Sequence, residues 1–376
     1  MSQSIEVQML SALEIFHYSS RFQNHLFVLN LQDGVDIGNI ITDLRVLNRA
    51  QIQVIVVLSA HSNLPKLLQR LNNQGCPLVF HSFDPSTKFN DSIIAPIKTE
   101  LSKGNIPVLG LSEIASAGDP INPSDRFTMN LASCLTVDKV FFLSSQPGLL
   151  IDNQFVSHTT PQEVTNNLGQ SREINIGFEQ LSFYIEHNKE NGFDIVLLEG
   201  NSGCLFEEIF SHRGKGTLIT SDYPNIIRSG KTSDIMDISL LMKPYVDTGT
   251  ILPISEENLS TNINDYYVYT VNNSIVAAAM LKDYGDASEL AKFCTLPRYQ
   301  GKGRARELAE KMIEQANSKK KQYIFSLTIE PKMVEFFISL GFEECDRTAL
   351  PQKWKSQYDM KRPSTAFIKV LNTLPT

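Results

Sequence analysis

The chain has 376 residues, a formal net charge of −7 and a hydrophobic content of 42%. This length exceeds what one hydrophobic core usually supports, so we expect two domains. The acidic balance argues against a general nucleic-acid binder, which needs a basic face, and the hydrophobic content argues against disorder away from the chain ends.

Membrane, secretion and metal signals are weak in this sequence. No segment reaches the roughly 20 consecutive apolar residues that cross a bilayer. The first residues, MSQSIEVQMLSALEIF, include acids and lack the basic region of a signal peptide. The five cysteines and seven histidines show neither the spacing of a zinc site nor that of a disulfide framework. We therefore expect a cytoplasmic protein with reduced, structural thiols and no bound metal.

In the first 225 residues, short apolar runs rich in Val, Ile and Phe alternate with helix-like stretches. The runs predict strands at residues 27–31, 53–60, 76–80, 105–111, 139–145 and 194–200. Helices are predicted at 37–50 and 124–137. Buried strands that alternate with amphipathic helices are typical of a mainly parallel sheet covered on both faces. The sequence thus predicts an α/β domain over residues 1–225.

The character of the chain changes after this point, and residues 226–376 predict a compact α+β domain. Its predicted elements are a helix at 233–246 with Ser233 as N-cap, strand-like residues 265–281 with a hairpin turn at NNS, a helix at 305–318, a strand at 321–329 and a helix that ends at Gly341.

The stretch LPRYQGKGRAREL has the features of a phosphate-binding turn. Arg298, Gly301 and Gly303 stand in an R-x-x-G-x-G arrangement between a predicted strand and a predicted helix. Glycines let backbone N–H groups approach an anion, and the exposed N–H groups of the following helix add positive potential. Lys302 and Arg304 could then contact phosphates as cations. Many ordinary surface turns contain the same pattern, so it is diagnostic only in context.

That context resembles the GNAT acetyltransferases, whose ligand is acetyl-CoA. Strand, glycine loop, helix, strand and a helix that ends in Gly-Phe follow in the order of that family. The C-terminal stretch also resembles the end of the bacterial N-acetylglutamate synthases, where Tyr-Asn-x-x-Arg-x-Ser-Lys precedes a last strand. Tyr358, Arg362 and Ser364 fit that frame, whereas Asp359 replaces the Asn and Thr365 the Lys.

Other segments extend the resemblance over most of the chain. SELAKFCTLPRYQ is similar to the Glu-Met-Ala strand of these synthases, and GTILPISEENL is similar to their early helix–loop segment. Residues 121–152 and 203–219 are similar to their N-terminal amino-acid-kinase-like domain. The resemblance is strong for 226–376, moderate for 121–225 and weak for about 60–120, where this chain is shortened.

The resemblance implies an N-terminal amino-acid-kinase-like three-layer sandwich (1–225) followed by a GNAT domain (226–376). FVLNLQDG and VVLSAHSN stand where amino-acid kinases have a phosphate-binding Lys and glycines, so we expect the first domain to be catalytically inactive. In the family this domain binds the feedback inhibitor arginine and builds the oligomer. The positions that match the arginine site are Tyr18, Glu208, Gly214 and Gly216. For Glu208 a purely structural role at a helix end stays open.

The resemblance also assigns the acetyl-CoA contacts. Backbone from Phe293 to Thr295 would bind the pantetheine arm and the acetyl carbonyl, and the glycine loop would hold the pyrophosphate. The implied cofactor-binding residues are Phe293, Cys294, Thr295, Gln300, Gly301, Lys302, Gly303, Arg304 and Ala305.

For the acceptor side, the resemblance implies Glu289 as general base, because the amine must lose a proton before it attacks the thioester. A solvated or ion-paired Glu289 stays the alternative. Arg362 suits a substrate carboxylate, and Ser364 and Leu252 would add contacts. Arg362 could instead form a surface ion pair. Two further positions matter: Ile254 stands where the family has an Arg, and Lys292 is a possible substitute for that Arg.

The function implied is acetyl transfer from acetyl-CoA to the α-amine of L-glutamate, the first step of arginine biosynthesis. We expect a homo-oligomer with L-arginine as a possible effector and with no nucleic-acid or membrane partner. Two alternatives stay open. Because of Ile254, the acceptor could be a different amino acid or small amine, and the chain could be a low-activity arginine-sensing partner protein.

Overall fold

The structure is a computed structural model that describes residues 19–32, 34–59, 64–73, 75–112, 119–168, 173–210, 214–220, 226–271, 274–301 and 303–371. The side chains of Pro65 and Arg298 are outside this description. The chain divides into two compact units, residues 1–222 and 223–376. Each unit has hydrophobic clusters of its own.

The N-terminal unit is built on an eight-stranded sheet with helices between its strands. The strands of that sheet are β1 (Leu26–Leu31), β2 (Gln53–Ser59), β3 (Leu78–Phe83), β4 (Ile106–Leu111), β5 (Lys139–Ser144), β8 (His158–Thr159), β9 (Asp194–Glu199) and β10 (Thr217–Ile219). A separate ribbon is formed by β6 (Leu149–Ile151) and β7 (Gln154–Val156). The helices are α1 (Ile41–Arg49), α2 (Leu64–Asn72), α3 (Asp91–Ser102), α4 (Pro123–Ser133), α5 (Pro161–Leu168), α6 (Phe178–Asn191) and α7 (Cys204–Phe210).

The sheet order is β3-β4-β2-β1-β5-β9-β10-β8, and of the described strand pairs within this sheet only β9–β10 is antiparallel. Successive side chains of a strand point to opposite faces. In β1, Phe27 and Leu29 join one hydrophobic cluster, whereas Leu26 and Val28 join another. The sheet is therefore buried on both faces, and the prediction of a three-layer, mainly parallel α/β unit is confirmed.

The C-terminal unit has a seven-stranded mixed sheet. Its strands are β11 (Ile226–Ser229), β12 (Tyr266–Val271), β13 (Ser274–Asp283), β14 (Ala287–Thr295), β15 (Tyr323–Thr328), β16 (Glu343–Cys345) and β17 (Thr365–Val370). Its helices are α8 (Ile235–Asp247), α9 (Glu256–Thr261), α10 (Arg304–Ser318), α11 (Pro331–Ser339) and α12 (Gln352–Lys355). The order is β11-β12-β13-β14-β15-β17-β16, and β14–β15 is the parallel pair among the described ladders.

Two predicted helix ends are wrong. The helix predicted at 124–137 ends at Ser133, because the chain turns at Cys134. The N-cap prediction for Ser233 fails because a 3₁₀ turn precedes α8, which begins at Ile235. The Asp234 carboxylate accepts from the Lys231 N–H at 2.8 Å and pairs with Arg228 at 2.6 Å, so Asp234 fixes this entry instead.

The turn predicted at NNS lies partly outside the described residues, since 272 and 273 are not described. The flanking strands β12 and β13 pair antiparallel, as a hairpin requires. The glycine that ends α11 is confirmed, because Gly341 has φ +81° directly after the helix.

The parallel strands β14 and β15 separate partway along their length, and the site lies at this fork. These parallel strands pair only over Ala287–Glu289, and the Ser326 hydroxyl then donates to the Leu290 carbonyl at 2.6 Å. Further along β14 the register with β13 shifts, and Lys292 has φ +56°. Such a bulge bends a strand and increases its twist. The last residues of β14 consequently leave β15, while β15 continues alongside β17.

Candidate active site

Glu289 is the last residue of β14 that pairs with β15, so it lies at the base of the fork. The Tyr284 hydroxyl donates to its Oε2 at 3.3 Å, and the Trp354 side chain gives it a further hydrogen bond. Desolvation raises the pKa of the Glu289 carboxyl above its ordinary value, against the lowering effect of the Lys282 charge and of these hydrogen bonds. A carboxyl with a raised pKa in a cleft is a candidate acid–base group.

A cleft of about 540 Å³ lies in front of Glu289. Three cationic side chains line it, those of Lys282, Lys292 and Arg362. Among the described residues that line it, Glu289 is the one acidic group. The cleft therefore combines a half-buried, desolvated carboxylate with a net positive lining, which suits an anionic ligand that has a proton to lose.

Arg362 is held in place by backbone. Its Nη2 donates to the carbonyl oxygens of Gly249 (2.9 Å) and Thr250 (3.1 Å), and its own carbonyl accepts from Arg347 at 2.8 Å. A guanidinium has five N–H donors, so donors beyond these two bonds remain for a ligand. The surface ion pair weighed from the sequence is not among the contacts of this side chain in the described residues.

Of the other substrate-side candidates, three line the cleft and Ser364 does not. Leu252 and Ile254 line the cleft, and the Leu252 carbonyl accepts from Lys292 Nζ at 2.8 Å. Burial lowers the pKa of Lys292. Ser364 is not part of the lining, but its hydroxyl is 2.8 Å from the hydroxyl of Tyr358, which is.

The sequence interpretation missed several lining residues, including Lys282, Tyr284, Trp354 and Gln357. Trp354 is expected from the sequence as a core or interface residue, and it is buried as well as bonded to Glu289. Its ring also stacks on Tyr358 with centroids 4.4 Å apart. For Lys282 a signal existed, because a hairpin centred on YGDA places it opposite Glu289.

The glycine loop has the geometry of an anion-binding turn. Gly301 and Gly303 have φ of +73° and +78°, and Gly303 is the N-cap of the 15-residue helix α10. Arg304 lies over the Tyr299 ring with Cζ 4.9 Å from the centroid, and its Nε is buried without a hydrogen-bond partner. Ala305 follows in the first turn of the helix. Lys302 and the Arg298 side chain lie outside the described residues.

At the end of β14 the side chains of Cys294 and Thr295 are buried, so these two residues offer a ligand mainly their backbone. The Cys294 thiol is buried, donates to the Ala278 carbonyl, and has its pKa raised by desolvation to about 12, so it is a poor nucleophile. The Phe293 ring packs edge-on against Phe336.

One hydroxyl joins this strand end to the glycine loop. Tyr245 Oη donates to the Thr295 carbonyl at 2.6 Å and accepts from the Thr295 N–H at 3.1 Å. Gln300 Nε2 donates to the same hydroxyl at 2.9 Å. A ligand that bonds to the carbonyl or the N–H of Thr295 therefore has to share that group with the Tyr245 hydroxyl or displace the Tyr245 side chain.

In the N-terminal unit, the residues matched to an arginine site form one turn. Glu208 Oε2 accepts from the backbone N–H groups of Lys215 (2.6 Å) and Gly216 (2.9 Å), and Gly214 has φ +58°. A Cβ on Gly216 would lie 2.3 Å from the Leu197 carbonyl oxygen, so only glycine fits. These residues have a structural role before β10. Tyr18 lies outside the described residues, and the arginine role stays a prediction.

The described part of the chain also bears on membrane spans and on metal sites. There, no helix is long and apolar enough to span a bilayer. The same residues contain no cluster of three or more His, Cys, Asp or Glu side chains suited to a metal ion.

Comparison with known proteins first identifies the class of domain to which part of the C-terminal unit is similar. Residues 252–361 match the family model described as an acetyltransferase (GNAT) domain. The structure of N-acetylglutamate synthase from Neisseria gonorrhoeae complexed with coenzyme A and L-arginine is similar, with a TM-score of 0.59 and 18% identity. The match covers 96% of this chain and 98% of that one. At this identity the likeness shows the fold alone, a mainly parallel α/β unit followed by the unit that contains the GNAT match.

Among curated proteins, similar sequences are named amino-acid acetyltransferase. That of Pasteurella multocida is 26% identical over 290 residues, which is 73% of this chain and 64% of the relative. That of Shewanella oneidensis is 27% identical over 277 residues, or 71% and 62%. The match thus spans less than two thirds of either relative. The resemblance to the N-acetylglutamate synthases is confirmed by these findings.

Proposed function

We propose that this protein transfers the acetyl group of acetyl-CoA to the α-amine of L-glutamate. The main observation behind the proposal is the cleft that the half-buried Glu289 carboxylate lines together with Lys282, Lys292 and Arg362, at the base of the β14–β15 fork. The match to a GNAT domain and the relatives named amino-acid acetyltransferase support the class of reaction.

The fork and the glycine loop fit acetyl-CoA. A Cβ atom added at Gly301 would have no other atom within 4 Å, so the backbone at this position is accessible to a phosphate. The Arg304 Nε is buried and has no hydrogen-bond partner among the described residues, so it can donate to a phosphate oxygen. Helix α10 contributes the exposed N–H groups of its first turn. The edge of β14 beyond Glu289 offers peptide groups to an extended arm, as an added strand would use them.

Glu289 is proposed to accept the proton of the substrate ammonium, directly or through water. Its raised pKa makes it a stronger base than a solvated glutamate, and its place beside the fork brings it near the end of the arm. Holding amine and thioester together lowers the entropic part of the barrier. Cys294 is excluded as an acetyl carrier by its burial and raised pKa, so direct attack by the amine is the simpler reaction.

The acceptor is proposed to be a dicarboxylic amino acid. With Glu289 ionised, the three cations of the cleft leave two positive charges in excess, and glutamate has two carboxylates. Lys292 keeps donors beyond its bond to Leu252 and can compensate for the absent Arg at Ile254. This arrangement favours glutamate over a neutral amine.

We further propose that the N-terminal unit is catalytically inactive and regulatory, with L-arginine as its effector, and that the protein acts as a homo-oligomer. The support is the similar fold of the gonococcal synthase, which is complexed with L-arginine. Glu208 Oε2 already accepts from two backbone N–H groups, so any role of Glu208 toward the effector would come in addition to these bonds.

A thiol-release assay of the full chain with acetyl-CoA and each of the twenty amino acids, with and without arginine, tests this function. We expect L-glutamate to give the fastest release. Clear release with another acceptor and none with glutamate would overturn the assignment of substrate. No release with any amino acid would favour the second candidate, a low-activity arginine-sensing partner, which the degenerate Ile254 position also suggests.

The pyrophosphate role of Arg304 gives a prediction of its own. Arg304→Ala should raise KM for acetyl-CoA roughly tenfold, since a charge-assisted hydrogen bond contributes about 1.5–3 kcal/mol. KM for S-acetylpantetheine, which has no pyrophosphate, should stay unchanged. The matched control is Lys311→Ala, on the same helix but paired with Glu314 at 2.7 Å. Equal changes for both donors would contradict the role.

A further inference from the structure

Lys282 has a placement that the proposed mechanism leaves unused. In the β13–β14 hairpin it stands directly opposite Glu289, and both side chains line the cleft. Tyr284 contacts both residues. Lys282 Nζ lies 5.1 Å from the centroid of the Tyr284 ring, and the Tyr284 hydroxyl donates to Glu289 Oε2. A lysine, an aromatic wall and the candidate base thus form one side of the cleft.

We propose that Lys282 binds the α-carboxylate of the acceptor and so selects free amino acids over amines that lack this group. The inference rests on the proposed function, in which Glu289 takes the proton from the α-amine. The α-amine and the α-carboxylate are attached to the same carbon atom. When the amine is at Glu289, the α-carboxylate must therefore lie beside it, where the facing cation is Lys282.

The other two cations are bonded to a different segment of the cleft wall. Arg362 is bonded to the carbonyls of Gly249 and Thr250, and Lys292 to that of Leu252, so both are fixed to the 249–252 segment. They are suited to the distal carboxylate of an acidic side chain.

Lys282 has N–H donors that its hydrogen bond within the described residues does not use. Its ammonium has three N–H donors, and the hydrogen bond that it makes is a long one of 3.3 Å to Gln357 Oε1. A carboxylate could take up the remaining donors without breaking the bonds that shape the cleft. Of the charges near Glu289, that of Lys282 has the largest influence on its pKa, which agrees with a close approach.

The test compares three acceptors with the full-length protein: L-glutamate, its α-amide and its γ-amide. Wild type should prefer glutamate to both amides. In Lys282→Met, kcat/KM for glutamate should fall at least tenfold while that for the α-amide stays unchanged, so discrimination against the α-amide is lost. Discrimination against the γ-amide should persist. Lys282→Arg, which keeps the charge, should retain discrimination against both amides. Lys311→Met is the surface control.

The outcomes separate the possible roles. If Lys282→Met lowers kcat/KM for glutamate and for the α-amide by the same factor, Lys282 does not contact the α-carboxylate and the inference is wrong. A shift in the acidic limb of the pH profile with unchanged selectivity would also overturn it, since Lys282 would then act only through Glu289. If wild type acetylates none of the three, the proposed function itself fails, and the inference with it.

Discussion

Glu289→Gln is expected to lower kcat by about 10² to 10⁴, the range that a positioned general base contributes. The amide keeps the shape and can still bond to Tyr284 and Trp354, but it cannot take the proton. In wild type, kcat/KM should fall with decreasing pH along a limb that lies above the ordinary pKa of a glutamate, because desolvation raises the Glu289 pKa. Initial rates between pH 5 and 9 on both proteins measure this.

The same substitution should stabilise the fold at high pH. A carboxyl whose pKa is higher in the folded than in the unfolded state favours folding below its unfolded pKa, and this contribution is lost as pH rises through the folded pKa. At pH 8 the wild type therefore bears the cost of a buried charge that Gln removes. We expect the Tm of Glu289→Gln to exceed that of wild type at pH 8 and to approach it in acid.

The control is Glu343→Gln, an exposed glutamate of β16, which should change neither rate nor Tm. A Glu289→Gln protein that retains activity within a few-fold would show that another group accepts the proton. In that case the buried carboxylate would have only a structural role in the cleft.

Asp125→Ala should destabilise the N-terminal unit by about 3–5 kcal/mol, the cost of breaking a fully buried charged network. Asp125 is 0% exposed, and burial raises its pKa. Four side chains donate to its carboxylate: Asn30 (2.9 Å), Gln32 (3.1 Å), Gln180 (2.6 Å) and Tyr184 (2.6 Å). Removal of the acceptor leaves the donors of Asn30 and Tyr184 buried without it, whereas Gln32 and Gln180 are half-buried. Urea unfolding followed by a signal of this unit gives the change in free energy.

The matched control is Asp119→Ala, which removes an exposed carboxylate paired with Arg126 at 2.8 Å. Exposed ion pairs contribute about 0–1 kcal/mol, so this variant should unfold close to wild type. If Asp125→Ala also loses less than about 1 kcal/mol, the donors must find new acceptors, and the carboxylate is not the centre of the network.

The elements best predicted from the sequence are those whose pattern is long and local. The strands at 53–60 and 139–145 are continuous apolar runs, and the structure places β2 and β5 within one residue of them. The helix predicted at 305–318 begins one residue earlier, at Arg304. Such segments are determined by their own burial, so distant parts of the chain need not be known.

The failures have non-local or competing causes. Ser233 has the composition of an N-cap, but the Asp234 carboxylate, paired with Arg228, controls that turn. Trp354 reaches Glu289 from a segment 65 positions along the chain, and Tyr245 reaches Thr295 from 50 positions away. No local pattern predicts either contact. Chemical type is readable from sequence, whereas the partners of each group depend on the fold.

The most direct test of the central claim is to identify the product. Full-length protein incubated with acetyl-CoA and L-glutamate should yield N-acetyl-L-glutamate, acetylated on the α-nitrogen, as detected by mass spectrometry and NMR. Glu289→Gln under the same conditions should yield at least a hundredfold less. An unacetylated glutamate with the wild-type protein, or equal product from both proteins, would contradict the account.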